Sequence, residues 1–228
     1  MPEAEPRKFH PLVLVPVMIT LAWALVNIAA PLSLPEGSVD DLSGSVGIRD
    51  NANQTAHMNP FARWVYDSGD VNCHQRASRT MFINGNEMPY CSRCLGIFIG
   101  LAAGAIFSLF YILDLKVWYI LGALAPMGVD GVGQLFGLWE STNIVRLVTG
   151  GLAGFITGIA LGYIFFVLEA AATDFRKRRS RDRASAALGG PPAGAQHAEN
   201  DVGRKKEDEK PQPDGLEGVH RPEEPEHE

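Results

Sequence analysis

The stretch LGIFIGLAAGAIFSLFYIL, Leu95 to Leu113, decides the fold, because nineteen consecutive positions carry no charged side chain. As a helix it rises roughly 28 Å, close to the thickness of a bilayer's hydrocarbon core. A helix in the core of a water-soluble domain normally keeps one polar face, and this one has none. Three further stretches are comparably long and apolar: Pro11 to Ala30, Val117 to Leu138 and Leu147 to Leu168. The expectation is an all-α membrane protein with four transmembrane helices, an outward-facing loop and a disordered cytoplasmic tail.

Charge separates the body from the tail. From Ala184 to Glu228 there are eleven acidic and five basic residues, so this segment alone carries the net charge of −6 of the whole chain. The remainder is neutral, with fifteen charges of each sign. Nucleic acid is excluded as a partner of the body, since phosphate binding needs a concentrated basic face. The tail is rich in Pro, Gly, Ala, Glu and Lys, and buries too little apolar surface to fold alone.

Lys and Arg set the orientation. Arg7 and Lys8 precede the first span, Lys116 lies between the second and third, and Arg176, Lys177, Arg178, Arg179, Arg181 and Arg183 follow the fourth. With four alternating spans all three locations fall on the cytoplasmic side, together with both termini. The first apolar run also has the outline of a signal peptide, but it is long for one and Pro31 follows Ala30 at the expected cleavage point, which favours a retained anchor. The chain then divides into an N-terminal segment with the first anchor (1–30), an extracytoplasmic loop (31–90), a three-helix membrane core (91–170) and a basic, then acidic, tail (171–228). Membrane lipid is the expected partner, and the basic run is suited to anionic headgroups. Glycines repeat every four residues at Gly96, Gly100 and Gly104, and again at Gly150, Gly154, Gly158 and Gly162. Such stripes let helix backbones approach closely, either within one chain or between the copies of a homo-oligomer.

The chemically capable residues gather at the outward ends of the spans. Cys73, His74 and Gln75 form one group, and Cys91, Arg93 and Cys94 a second. Asp130 with Gln134, and Glu140 with Asn143 and Arg146, complete the set. A Cys-x-x-Cys spacing brings two thiolates to one ion, and Cys73 or His74 extends the ligand set toward a tetrahedral zinc site, or one for another transition metal such as iron. Adjacent ligands are sterically awkward, which leaves His74 free to act as a base; Asp130 and Glu140 are the other candidate catalytic groups. A disulfide is the competing reading in an oxidising compartment, with one cysteine left over. Asp130 lies roughly 12 Å below the outer end of its span at helical rise, where an ionisable group is costly and calls for a partner such as Arg93 or Arg146. Gln75, Arg93, Gln134, Asn143 and Arg146 are candidate substrate-binding groups, the arginines suiting a phosphate or carboxylate. Arg76, Arg79 and Arg93 also have Asp67, Asp70 and Glu87 as possible ion-pair partners.

These motifs resemble a known family. Cys73-His74-Gln75, Arg79-Thr80, Met88-Pro89, Cys91-x-Arg93-Cys94-x-Gly96-Ile97, Asp130-Gly131 with Gln134, Glu140-Ser141-Thr142-Asn143 with Arg146, and Thr149-Gly150 are similar, over about Val71 to Gly154, to predicted prokaryotic membrane proteins classed as domain of unknown function 2085. Leu95 stands where a small polar residue is expected. The resemblance implies a polytopic membrane protein and no established reaction. Three functions remain open: a metal-binding site, hydrolytic on a surface or lipid-linked substrate; a thiol-disulfide oxidoreductase linked to quinone; and a transporter or sensor with Asp130 and Gln134 on its pathway.

Overall fold

The computed structural model describes residues 10–187, apart from Ser43 and Asp114. Its helices are α1 (Leu14–Leu32), α2 (Ala52–Thr55), α3 (Pro60–Asn72), α4 (Ser92–Phe110), α5 (Val117–Leu135) and α6 (Asn143–Ala187). A short antiparallel hairpin, β1 (Phe82–Ile83) and β2 (Asn86–Glu87), adds strand to the helical fold expected from sequence, with Phe82 opposite Glu87. Its turn is closed by Asn84 (φ 55) and Gly85 (φ 69), two residue types that tolerate left-handed backbone.

Among the described residues three helical segments are long and apolar enough to cross a membrane: Pro11–Leu32, Ser92–Phe110 and Asn143–Ala187. α5 has the length, but Pro126, Asp130, Gln134 and its glycines dilute its hydropathy, so it is not a fourth by that measure. Chain contacts divide the protein into Met1–Ala171 and Ala172–Glu228. In the second unit the described residues, 172–187, are helical rather than disordered as expected of the tail. Residues 171–187 contain no Gly or Pro and are dominated by Ala and Arg, which favour helix. The rest of the expected tail, 188–228, lies outside the described residues.

In the first unit both glycine stripes are spent inside one chain. A Cβ on Gly96 would meet the Leu147 carbonyl oxygen at 2.3 Å, one on Gly100 that of Gly151 at 2.2 Å, and one on Gly104 that of Phe155 at 2.1 Å. From the other side, a Cβ on Gly150, Gly154 or Gly158 would run into the carbonyl oxygen of Arg93, Ile97 or Leu101 respectively. Both sequences advance together, so α4 and α6 run parallel at backbone-contact distance. α1 runs against α4: the Trp23 ring packs edge-on to Phe98 at 5.9 Å, and the start of α1 is held at the far end of the bundle by Glu169, which accepts from the Leu12 amide at 2.9 Å.

Between α1 and α4 the chain forms a folded loop region. Ala30, Leu34, Val39, Leu42, Ala62, Val65 and Tyr66 make its core. Buried polar groups clip it together. Asn86 donates to the carbonyls of Pro31 and Pro35 at 3.0 Å each and accepts from the Val39 amide at 3.0 Å. The Tyr66 hydroxyl donates to the Glu87 carbonyl at 2.6 Å. Glu87 accepts from the Leu42 amide at 2.8 Å through Oε2, while its buried Oε1 has no partner among the described residues. Burial, only partly offset by the Leu42 amide, pushes its carboxyl up to about 7.

Two outcomes follow from this packing. Gly100→Ala and Gly154→Ala should each destabilise by about 1–3 kcal/mol, the usual cost of overpacking. Gly122→Ala, where a Cβ meets nothing within 4 Å, should not; thermal unfolding in detergent checks this, and equal midpoints for all three would break the parallel α4–α6 contact. For Glu87, the folded state holds its proton from the ordinary 4.5 up to about 7, so the stability that the neutral carboxyl contributes is lost as pH rises through that window. The loss amounts to about 3 kcal/mol. Glu87→Gln should flatten the stability profile between pH 4.5 and 7 and raise the midpoint at pH 8; the same slope in both proteins would place the dependence elsewhere.

Candidate functional site

The three cysteines converge because three helix ends and turns converge. α3 ends at Cys73, in extended conformation (φ −140, ψ 152), with its amide still bonded to the Gly69 carbonyl at 2.8 Å. The chain then turns at Gln75, whose φ of 38 is left-handed backbone seldom adopted by a side-chain-bearing residue. Gln75 is held there by its own amide: Oε1 accepts from Asn51 at 3.1 Å and Nε2 donates to the Pro89 carbonyl at 3.0 Å. Pro89 in turn lies against Gly69, where a Cβ would meet its oxygen at 2.0 Å. Two residues beyond Pro89, Cys91 occupies the cap position of α4, and Cys94 lies one turn in.

All three sulfurs lie within 4.8 Å of one another, with Cys91 and Cys94 at 3.6 Å. Cys73 is buried and the other two are half-buried. The Cys91 amide donates to the Cys73 sulfur at 3.3 Å, so the free N–H groups at the start of α4 face sulfur. Hydrogen bonds from Cys73 and then Cys94 hold the Cys91 thiol far below its usual range, while its bond with Cys91 pushes the Cys73 thiol up.

His74 is exposed and belongs to no cluster of potential ligands among the described residues. Gln75, a candidate for substrate binding, spends its polar atoms inside the loop region as described. Asp130, Glu140, Gln134, Asn143, Arg93 and Arg146 form a second, polar group. Asp130 pairs closely with Arg93 and accepts from Gln134 Nε2 at 2.8 Å. Gln134 Oε1 accepts from Arg146 at 2.9 Å, and Asn143 Oδ1 from the same guanidinium at 3.4 Å. Asn143 also donates to the Thr80 carbonyl at 3.1 Å, which ties the start of α6 to the loop that carries Cys73. Glu140 is largely exposed, 3.8 Å from Arg79.

The pairings differ from those expected for the loop acids. Asp67 is paired with Arg49 and Arg63, and Asp70 accepts from Asn51. Glu87 forms no ion pair among the described residues. Arg79 and Arg93 reach instead across to α5 and its following turn. Sequence reading overlooked Asn51 and Asn27, both buried; Asn27 Oδ1, like Ser92 Oγ between the cysteines, has no hydrogen-bond partner among the described residues. The signal available for Asn27 was a lone amide in an otherwise apolar span.

Fold and site together define a polytopic helical membrane protein with a three-thiol cluster at one end of its helices. A family described as "Predicted membrane protein (DUF2085)" matches residues 73–160, a segment that starts at the first cysteine and includes both polar groups. An uncharacterized protein of Methanocaldococcus jannaschii is 44% identical over 99 residues, covering 41% of this chain and 64% of its own. An uncharacterized protein of Methanothermobacter thermautotrophicus is 37% identical over 87 residues, covering 36% of this chain and 77% of its own. The chain belongs to this family of predicted membrane proteins. No solved structure matches it.

Proposed function

We propose that this protein is a four-span membrane protein whose outward end carries a metal centre built from Cys73, Cys91 and Cys94. The observation that carries the reading is the approach of three sulfurs to within 4.8 Å in a cradle fixed by helix ends rather than by flexible loop. Soft thiolates select zinc, iron or copper over harder cations. Three ligands leave a fourth position for water or a substrate atom, the arrangement that separates reactive from purely structural sites.

The four-span topology is supported by direction. Because α4 and α6 lie side by side and parallel, the chain between them must return the full length of α4, and α5 is the only long helix between them in the sequence. The Arg93–Asp130 pair joins the start of α4 to the last third of α5, as an antiparallel return requires. Sidedness is supported by the sequence alone: the basic run Arg176–Arg183 follows the last apolar stretch, and the positive-inside rule favours the cytoplasmic side for such a run and the outer side for the cysteines. In this frame Asp130 is shielded from lipid by Arg93 and Gln134. A hydrolytic role on a surface or lipid-linked substrate would draw on the open fourth position, with exposed His74, next to Cys73 in the chain, or Glu140 as the acid-base group.

A second reading is favoured by the 3.6 Å between Cys91 and Cys94, a separation from which the pair can oxidise to a disulfide. The deciding experiment is the metal-to-protein ratio of protein purified in mild detergent without chelator or histidine tag. We expect about one zinc or iron per chain, lost in the Cys91→Ser, Cys94→Ser double variant. Absence of metal, with a single titratable thiol among the three cysteines, would overturn the metal centre in favour of thiol-disulfide chemistry.

A further inference from the structure

Arg146 is 2% exposed, yet no carboxylate lies within ion-pair distance of it among the described residues. Its hydrogen-bond partners are the neutral oxygens of Gln134 and Asn143. The charges facing it are Arg79 and Arg93, which repel it, and Asp130 and Glu140, which attract it. Asp130 is already paired with Arg93, and Glu140 is mostly in solvent beside Arg79. Three guanidinium groups therefore meet two carboxylates, and the deepest of the three has no counter-ion. Buried cations are ordinarily paired, so an excess positive charge here asks for an anion from outside the chain.

A second, independent observation points the same way. Arg93 Nε is buried and has no hydrogen-bond partner among the described residues, although the same guanidinium bonds Asp130 through NH2. A planar guanidinium presents five N–H donors, and two such groups with donors to spare match the fork geometry of a phosphate or carboxylate. Access is open from one side, since Arg93 and Arg79 are about one quarter to one third exposed. The absence of a side chain at Gly131 leaves room beside the guanidinium, for a Cβ there would stand 3.8 Å from Arg93 NH1.

We propose that Arg146, Arg93 and Arg79 form a binding site for a phosphate-type oxyanion, with Gln134 and Asn143 holding Arg146 in position. The anion is the phosphate of a lipid headgroup or of a soluble phosphate compound; both present the same tetrahedral oxygens. The site goes beyond the metal centre and does not require it, because its donors come from α4, α6 and the loop at Arg79, with no sulfur among them. Arg93 lies between Cys91 and Cys94 in the first turn of α4, two residues after the one and next to the other.

The experiment uses the full chain in a non-ionic detergent. Thermal unfolding is followed against sodium phosphate and, at equal ionic strength, sodium chloride, and native mass spectrometry counts phosphatidic acid against phosphatidylcholine bound per chain. Saturable stabilisation by phosphate would identify a soluble phosphate source, and retention of phosphatidic acid alone would identify a headgroup; each supports the site. Arg146→Gln should weaken binding roughly tenfold or more, with Arg146→Lys recovering part of it, as expected when the fork geometry matters as well as charge. Should Arg146→Gln fail to fold, the half-exposed Arg79→Gln gives the same test with a smaller loss. Arg76→Gln, exposed and outside the cluster, should bind as the native protein does. Metal content measured on the same samples should be unchanged in the arginine variants. No saturable response to either probe, or equal affinity in the native, Arg79→Gln and Arg146→Gln proteins, would overturn the proposal.

Discussion

Much of this structure depends on one contact, the parallel backbone-to-backbone approach of α4 and α6. It is possible only because glycine occurs every fourth residue on both helices, so that carbonyl oxygens of each sit where the other's Cβ would be. Parallel neighbours joined by a short chain segment need a return helix, and α5 supplies it. That return brings Asp130 to Arg93 at the start of α4 and Gln134 to Arg146 in the first turn of α6. The polar group at the cysteine end is thus a consequence of helix direction, and the glycines that fix direction lie far along the helices from the residues they bring together.

The loop region between α1 and α4 has a different logic. It is too short to bury a large core, and instead uses buried side-chain amides and carboxylates as clips, each satisfying backbone groups distant in sequence. Asn86 binds the chain around Pro31 and Pro35, and Gln75 binds α3 to the turn before α4. These clips decide where Cys73 stands relative to Cys91. A thiol cluster made from two helix ends held in this way is pre-organised, so an ion need not pay for ordering its ligands.

Hydropathy made three of the apolar helices legible, and the start of α5 at Val117 as well, because in lipid length and apolarity are the physical requirement itself. The interior of α5 is less legible, because Pro126 and four glycines are poor helix formers, yet the helix is continuous from Val117 to Leu135. The Cys-x-x-Cys spacing indicated that two thiols can reach one ion and left Cys73 or His74 to extend the set; the structure brings the Cys73 sulfur beside them. His74 does not join them, since the residue after an extended cap points to the opposite side. The loop was opaque, because Gln75, Asn86 and Glu87 owe their roles to partners up to 55 residues away, and no local pattern records such contacts. Arg93 and Arg146 were recognisable as partners for Asp130, but only the folded arrangement gives one the carboxylate and leaves the other with neutral oxygens.

The account stands on the three sulfurs acting as one ligand set. X-ray absorption at the metal edge of the protein as purified tests this most directly. The account predicts three sulfur scatterers at about 2.3 Å with one nitrogen or oxygen at about 2.0–2.2 Å, the distances of a thiolate-rich zinc site with one exchangeable ligand. A metal shell made only of nitrogen and oxygen, or no bound metal to examine, would contradict it.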